Sequence, residues 1–298
     1  IASLIAKADN KISAKEKELL KQVSNKANNP KVAVPKAQYN EIPENDTLEI
    51  VLLELHELIG LDEVNKNVAD LTKFLNVNNL GLDKVLKTTN SSLHTVFMGP
   101  PGTGKTTVAR MLGRIYKHLG FLQKGHLVET DRTGMVAGYV GQTAVKSDEI
   151  IMAAQGGVLF IDEAYTLKKQ GSQQDFGQEA IDVLLKRMED KKGEFVVIAA
   201  GYPEEMKSFI NSNPGLKSRF THFFNFQDFT PDELLKIFED NSVKEDYIIV
   251  DDAKELLKKE FTNLYRNRDQ SFGNARVVRN IFSEAKMYLS KRIIKLSE

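Results

Sequence analysis

The sequence predicts an α/β fold: a mostly parallel sheet covered by helices, followed by a small all-helical C-terminal unit and preceded by an N-terminal helical fragment. Three observations predict it. Short apolar runs at residues 93–98, 125–130, 158–161, 195–200 and 223–226 read as strands, with helical patterns between most of them. Strands of that kind alternating with helices belong to a sheet buried on both faces. After Asp228 the strands stop, and Thr230-Pro231-Asp232-Glu233 opens a helix with Thr as cap and Pro at the first helical position. Finally, 41% of the 298 residues are hydrophobic and 28% charged, a globular balance that supports one large domain with a satellite, or two domains.

Along the chain, residues 1–28 read as two short helices. Ile1, Leu4 and Ile5 share a face, and Ser13 with Glu16 three residues on forms a capping box before the apolar stripe Leu19, Leu20, Val23. Up to residue 40 there are eight lysines against three acids, the pattern of a solvated helix face. The phrase Ala6-Lys7-Ala8-Asp9-Asn10-Lys11-Ile12-Ser13 resembles the turn of tellurite-resistance-B-like helical domains. Pro30, Pro35 and Pro43 mark residues 29–46 as a linker. A helix then spans 48–58 with a continuous apolar side, ending before Gly60, and another runs through Val64, Val68, Leu71 and Leu75. Residues 47–228 are expected to form the sheet domain and 229–298 the helical unit.

Composition excludes several functions. Forty-one basic and forty-one acidic side chains give no net charge, so no global field draws the chain to nucleic acid. The absence of cysteine rules out disulfides, thiolate metal sites and cysteine nucleophiles. The histidines His56, His94, His118, His126 and His222 are scattered and propose no metal cluster. No apolar run reaches the roughly 20 residues of a membrane helix. Ile1-Ala2-Ser3-Leu4 carries neither an initiator Met nor a signal pattern, and the chain is expected to be a cytoplasmic piece of a longer protein.

The strongest chemical signal is Gly99-Pro100-Pro101-Gly102-Thr103-Gly104-Lys105-Thr106, a complete phosphate-binding P-loop between a strand and a helix. The glycines let backbone N–H groups turn toward phosphate oxygens. Lys105 brings charge to the β- and γ-phosphates, Thr106 a hydroxyl to Mg²⁺, and the helix expected at 107–116, beginning with Thr107, points its positive end at the ligand. In Val158-Leu159-Phe160-Ile161-Asp162-Glu163 a fully apolar strand ends in two acids. At the carboxyl end of such a strand Asp162 can hold Mg²⁺ through water, and Glu163 can polarise an attacking water. Cradle, metal and water-positioning group are the set that phosphoryl transfer from ATP requires.

These residues resemble those of an AAA+ ATPase with a helical lid, a P-loop NTPase fold. More specific phrases are Gly138-Tyr139-Val140-Gly141-Gln142-Thr143, Gly156-Gly157-Val158, Asp162-Glu163-Ala164-Tyr165, Ala200-Gly201-Tyr202, Ser212-Asn213-Pro214-Gly215-Leu216-Lys217-Ser218-Arg219-Phe220 and Asn274-Ala275-Arg276. Together they resemble the CbxX/CfqX group, which includes red-type Rubisco activase and stage V sporulation protein K, over residues 47–298. The resemblance implies further roles. Ile59-Gly60-Leu61 matches the segment that packs on adenine, Arg219 an arginine finger reaching a neighbouring subunit's γ-phosphate, and Arg276 a lid sensor touching phosphates in its own subunit. Tyr139-Val140-Gly141 matches a pore loop that grips a peptide, against the alternative of a packed turn with a buried Tyr. The polar stretch 168–177 is a candidate second pore loop. Where AAA proteins carry a polar sensor, often Asn, this chain has Gly201-Tyr202, and Glu129, Thr130 and Asp131 are candidate helpers.

The implied function is an ATP-driven homo-oligomer, by resemblance a hexameric ring, that remodels a protein partner. A nucleotide-dependent assembly switch without threading is the alternative. A nucleic-acid motor is the third reading, disfavoured by the neutral charge and the aromatic loop.

Overall fold

The computed structural model describes residues 42–43, 45–79, 92–139, 141–168 and 176–297. The helices expected in 1–28 and nearly all of the linker 29–46 lie outside the described residues.

Two helices lead in, α1 (Leu48–His56) and α2 (Asp62–Asn79). The sheet domain follows as β1 (Thr95–Met98), α3 (Lys105–His118), β2 (Leu127–Thr130), α4 (Arg132–Met135), α5 (Gln142–Ala153) and β3 (Val158–Ile161). A single 3₁₀ turn (Ala164–Leu167) then precedes α6 (Gly177–Asp190), β4 (Val196–Gly201), α7 (Pro203–Asn211), α8 (Pro214–Arg219) and β5 (His222–Asn225). The chain continues through α9 (Pro231–Lys244), α10 (Asp251–Arg266) and α11 (Ala275–Ser297). All five expected strands are present, with ends shifted by one or two residues. Thr230 caps α9 through a reciprocal box with Glu233, as the sequence predicts.

The sheet is parallel throughout, in the order β2-β3-β4-β1-β5. Successive strand residues enter opposite core layers, because side chains alternate across a strand. Phe97, Phe160 and Ile198 join the layer formed with α1, α2, α3 and the C-terminal helices. Val96, Leu159 and Val197 join the layer formed with α5, α6, α7 and α8. β1, β3 and β4 are buried at every position, which explains their unbroken apolar runs. The edge strand β5 leaves Phe223 exposed.

One charged group in the expected linker is structural. Asp46, whose side chain is 2% exposed, pairs with Arg114 on α3 and accepts from His118 Nε2 at 2.8 Å. The Arg114 guanidinium holds its carboxyl below the usual carboxylate range, against the opposing effect of burial. The segment before α1 is thereby tied to the helix behind the P-loop. No helix among the described residues is long and apolar enough to cross a membrane.

Candidate active site

In a parallel sheet the ligand site lies at the carboxyl ends of the strands. The order β3-β4-β1 sets three such ends side by side, and a cleft of about 870 Å³ opens over them. Its walls are the P-loop, the ends of β3 and β4, the turn before α2, and helices α9 and α11.

The P-loop is shaped by close approach. Gly102 has φ +74°, and a Cβ there would stand 2.1 Å from the carbonyl oxygen of Gly273, so only glycine serves. The buried Thr103 hydroxyl donates to the Pro100 carbonyl at 2.9 Å, bracing the loop from within. Because α3 begins at Lys105, its free N-terminal amides and positive end face the loop. Lys105 Nζ donates to the carbonyl oxygens of Gly99 (2.8 Å) and Pro100 (2.6 Å). Burial draws the Lys105 ammonium down to about 8; Asp162 opposes the fall, Arg276 adds to it, and Glu163 opposes it more weakly. These four charges therefore act on one another across one site.

The acids are held by backbone geometry. The Asp162 N–H donates to the Thr130 carbonyl at 2.8 Å, and Asp162 Oδ1 accepts from the Glu163 N–H at 3.1 Å. Glu163 has φ 46° and ψ 44°, a left-handed conformation that costs a non-glycine residue about 1–3 kcal/mol. Thr166 holds it there, donating both its N–H (2.8 Å) and its hydroxyl (2.7 Å) to the Glu163 carbonyl. Thr106 Oγ1 donates to Glu129 Oε1 at 3.4 Å. A hydroxyl beside carboxylates is a hard-oxygen donor set of the kind that suits Mg²⁺.

Of the residues singled out from the sequence, Ile59, the P-loop residues 99–107 apart from Pro100, Asp162, Glu163 and Arg276 line this cleft. Gly60 does not line it; with φ +70° it turns the chain so closely past the Phe229 ring that a Cβ would stand 2.7 Å away. Arg219 and Tyr139 lie elsewhere. Arg219, the last residue of α8, donates from Nη2 to Glu189 Oε2 at 2.8 Å. Tyr139, between α4 and α5, is 74% exposed, which removes the buried-tyrosine alternative. Val140 and most of the stretch 168–177 lie outside the described residues. Apart from Arg276, the lid wall went unread in the sequence: Ile237, Asn241 and Lys244 on α9 and Arg279 on α11 line the cleft. The α9 spacing of four and three is helical, but Asn241 and Lys244 there look like any solvated helix face, and Ile237 like a residue of its apolar stripe.

Residues 95–228 match the ATPase family associated with various cellular activities (AAA), and residues 230–298 match the AAA lid domain. The chain is 40% identical over 233 residues to stage V sporulation protein K of Bacillus subtilis, covering 78% of this chain and 72% of that protein. It is 41% identical over 238 residues to the chloroplastic ribulose bisphosphate carboxylase/oxygenase activase of Cyanidioschyzon merolae, covering 80% of each. To protein CbxX of Cupriavidus necator it is 37% identical over 265 residues, 89% of this chain and 83% of that one. Among solved structures, a Thermotoga maritima RuvB variant matches with a TM-score of 0.52 at 22% identity, over 78% of this chain and just under two thirds (66%) of that one, a likeness of fold.

The lowered Lys105 amine predicts a proton linkage. Its folded value, about 8 against an ordinary 10.5, means that the buried charge costs stability below pH 8 and that the cost is relieved as pH rises toward 10.5. A triphosphate beside the amine restores its proton. Nucleotide affinity should then weaken above pH 8 by up to about tenfold per pH unit. At pH 8, ATP binding should take up about half a proton, measured as a dependence of calorimetric heat on the buffer's ionisation enthalpy. Heat independent of the buffer would show that Lys105 is charged throughout.

Proposed function

This chain belongs to the AAA ATPase family, in the group of CbxX and CfxQ proteins, and from that premise we propose that it works as an ATP-driven ring of six copies that remodels a protein partner. Its activity is ATP hydrolysis. In this reading the triphosphate lies along the P-loop with the base end against Ile59, the turn there being set by Gly60. Lys105 and Arg276 take up the charge of the β- and γ-phosphates. Glu163 orients the attacking water and accepts its proton as the bond to the leaving oxygen breaks. Thr106 and Asp162 would hold Mg²⁺, which when bound neutralises charge developing on the phosphates.

Arg219 is the remaining cation of the set, and it lies outside its own cleft in an ion pair with Glu189. We assign it to the cleft of the neighbouring copy, where an arginine finger is worth about 10³–10⁵ in rate. The observation that carries the remodelling reading is Tyr139, a large aromatic left 74% exposed in a loop between Gly138 and Gly141, away from the nucleotide cleft. Aromatic side chains in contact with solvent are suited to gripping a polypeptide with low loss of side-chain entropy. One relative is named for activating ribulose bisphosphate carboxylase/oxygenase, itself a protein. That supports a protein partner over the nucleic-acid reading.

Two experiments test this. Arg219→Ala and Glu163→Gln proteins should each be nearly inactive alone, whereas mixing them should restore hydrolysis at interfaces that pair an intact Glu163 with an intact Arg219. Activity should also rise with protein concentration. No recovery, with activity independent of concentration, would contradict a shared site. Separately, Tyr139→Ala should change stability by less than about 0.5 kcal/mol and leave basal ATPase unchanged, while abolishing its stimulation by an unfolded probe polypeptide. A melting midpoint lowered by more than about 10 °C would make Tyr139 structural, and retained stimulation would favour the assembly switch.

A further inference from the structure

The end of β4 lies between the two catalytic elements, since β4 is hydrogen-bonded to β1 on one side and β3 on the other. Gly201 and Tyr202, at that end, both line the cleft together with Lys105, Asp162 and Glu163. Gly201 is fixed to the start of the P-loop, its carbonyl accepting from the Gly99 N–H at 3.0 Å.

The reason for glycine at 201 is a second tyrosine. A Cβ there would stand 2.7 and 2.8 Å from ring carbons of Tyr165 and 2.9 Å from Met206 Sδ. The Tyr165 ring thus crosses the space a side chain at 201 would fill. Tyr165 is two residues beyond Glu163, in the 3₁₀ turn closed by the Thr166 N–H on the Glu163 carbonyl and the Lys168 N–H on the Tyr165 carbonyl. Its ring meets that of Tyr202 with centroids 6.2 Å apart and planes tilted by 50°. On its other side Tyr202 is held by backbone: it caps α7, its carbonyl accepts from the Met206 N–H at 2.9 Å, and Pro203 fixes the helix entry. Burial, then the nearby Glu163 carboxylate, raises the Tyr165 phenol to about 12, so it stays neutral.

Tyr202 is therefore a braced phenol in the wall between the P-loop and Glu163, in the cleft where a water must be oriented against the terminal phosphate. We propose that the Tyr202 hydroxyl donates a hydrogen bond to the γ-phosphate or its attacking water, and that Tyr165 is the positioning residue that links it to Glu163. The inference rests on the assignment of this cleft to ATP hydrolysis. It gives the Gly201-Tyr202 pair, which departs from the polar sensor of AAA proteins, a chemical role through a phenol.

Tyr202→Phe tests it, because the change removes one hydroxyl and keeps the ring against Tyr165. Loss of a preorganised donor should lower kcat roughly 10–10³-fold, with KM changed by less than about threefold. ADP affinity should stay as in wild type, and the extra affinity for ADP with aluminium fluoride should fall by about the same factor as kcat. Tyr165→Ala, which removes the brace, should reproduce the Tyr202→Phe loss without affecting ADP binding, and Tyr165→Phe, which returns the ring, should recover most of it. Wild-type kcat and fluoride-complex affinity in Tyr202→Phe would overturn the proposal, as would loss of its cooperative melt, which would make the hydroxyl structural. Glu163→Gln in parallel separates the two levels: if it is inactive while Tyr202→Phe is normal, only this proposal fails. If Glu163→Gln turns over normally, the reading of the cleft fails and takes the proposal with it.

Discussion

The contact between the P-loop and the turn that starts α11 fixes the geometry of the whole site. Gly102 has no side chain, and the Gly273 carbonyl occupies the place where one would be. The Ala275 N–H returns a hydrogen bond to the Gly102 carbonyl at 3.2 Å. Between them stands Asn274, fully buried and left-handed at φ 49°. The two N–H bonds of its amide are shared among the Pro101 carbonyl (3.2 Å), Asp228 Oδ1 (2.9 Å) and the Phe272 carbonyl (3.1 Å), and its oxygen accepts from the Phe229 N–H (2.8 Å). One side chain thereby joins the P-loop, the segment leaving β5 and the turn before α11. Asparagine is among the few residues that tolerate this conformation while satisfying so many buried partners.

That junction explains why groups far apart in the chain share one cleft. Lys105 is carried by α3, which is locked from behind through Arg114 to Asp46. Arg276 stands two residues beyond Asn274 and lines the cleft, so its place there is set by the same hydrogen bonds that seat the P-loop. The apolar layer beneath runs without a break from Phe97 and Phe226 to Phe238, Phe261 and Phe282 of the C-terminal helices. Burying that layer stabilises the lid on the sheet, while the polar junction fixes how the two meet.

Much of this was legible in the sequence, and the reasons differ by element. The strands were visible because a sheet buried on both faces demands unbroken apolar runs such as Val158-Leu159-Phe160-Ile161. Their ends were less so: Phe226 is buried beyond the last ladder pair of β5, its N–H still donating to the Met98 carbonyl at 2.7 Å, so the apolar run outlasts the paired strand. The P-loop, the acid pair and the α9 cap are local patterns with local causes. Asp46 was invisible, and Asn274 stood out only within the phrase Asn274-Ala275-Arg276, because their importance lies in partners 68 and 46 positions away. No window of sequence distinguishes such residues from polar loop positions. Tyr202 was visible within the phrase Ala200-Gly201-Tyr202, where AAA proteins at large carry a polar sensor; its brace by Tyr165 emerges when the end of β4 meets the turn after β3.

Hydrogen exchange with and without ADP measures the central claim most directly. If the Gly102–Asn274 junction makes P-loop and lid one binding unit, ADP should slow amide exchange at residues 102–107 and 275–279 together. Protection confined to the P-loop, with exchange across 275–279 unchanged, would contradict the account.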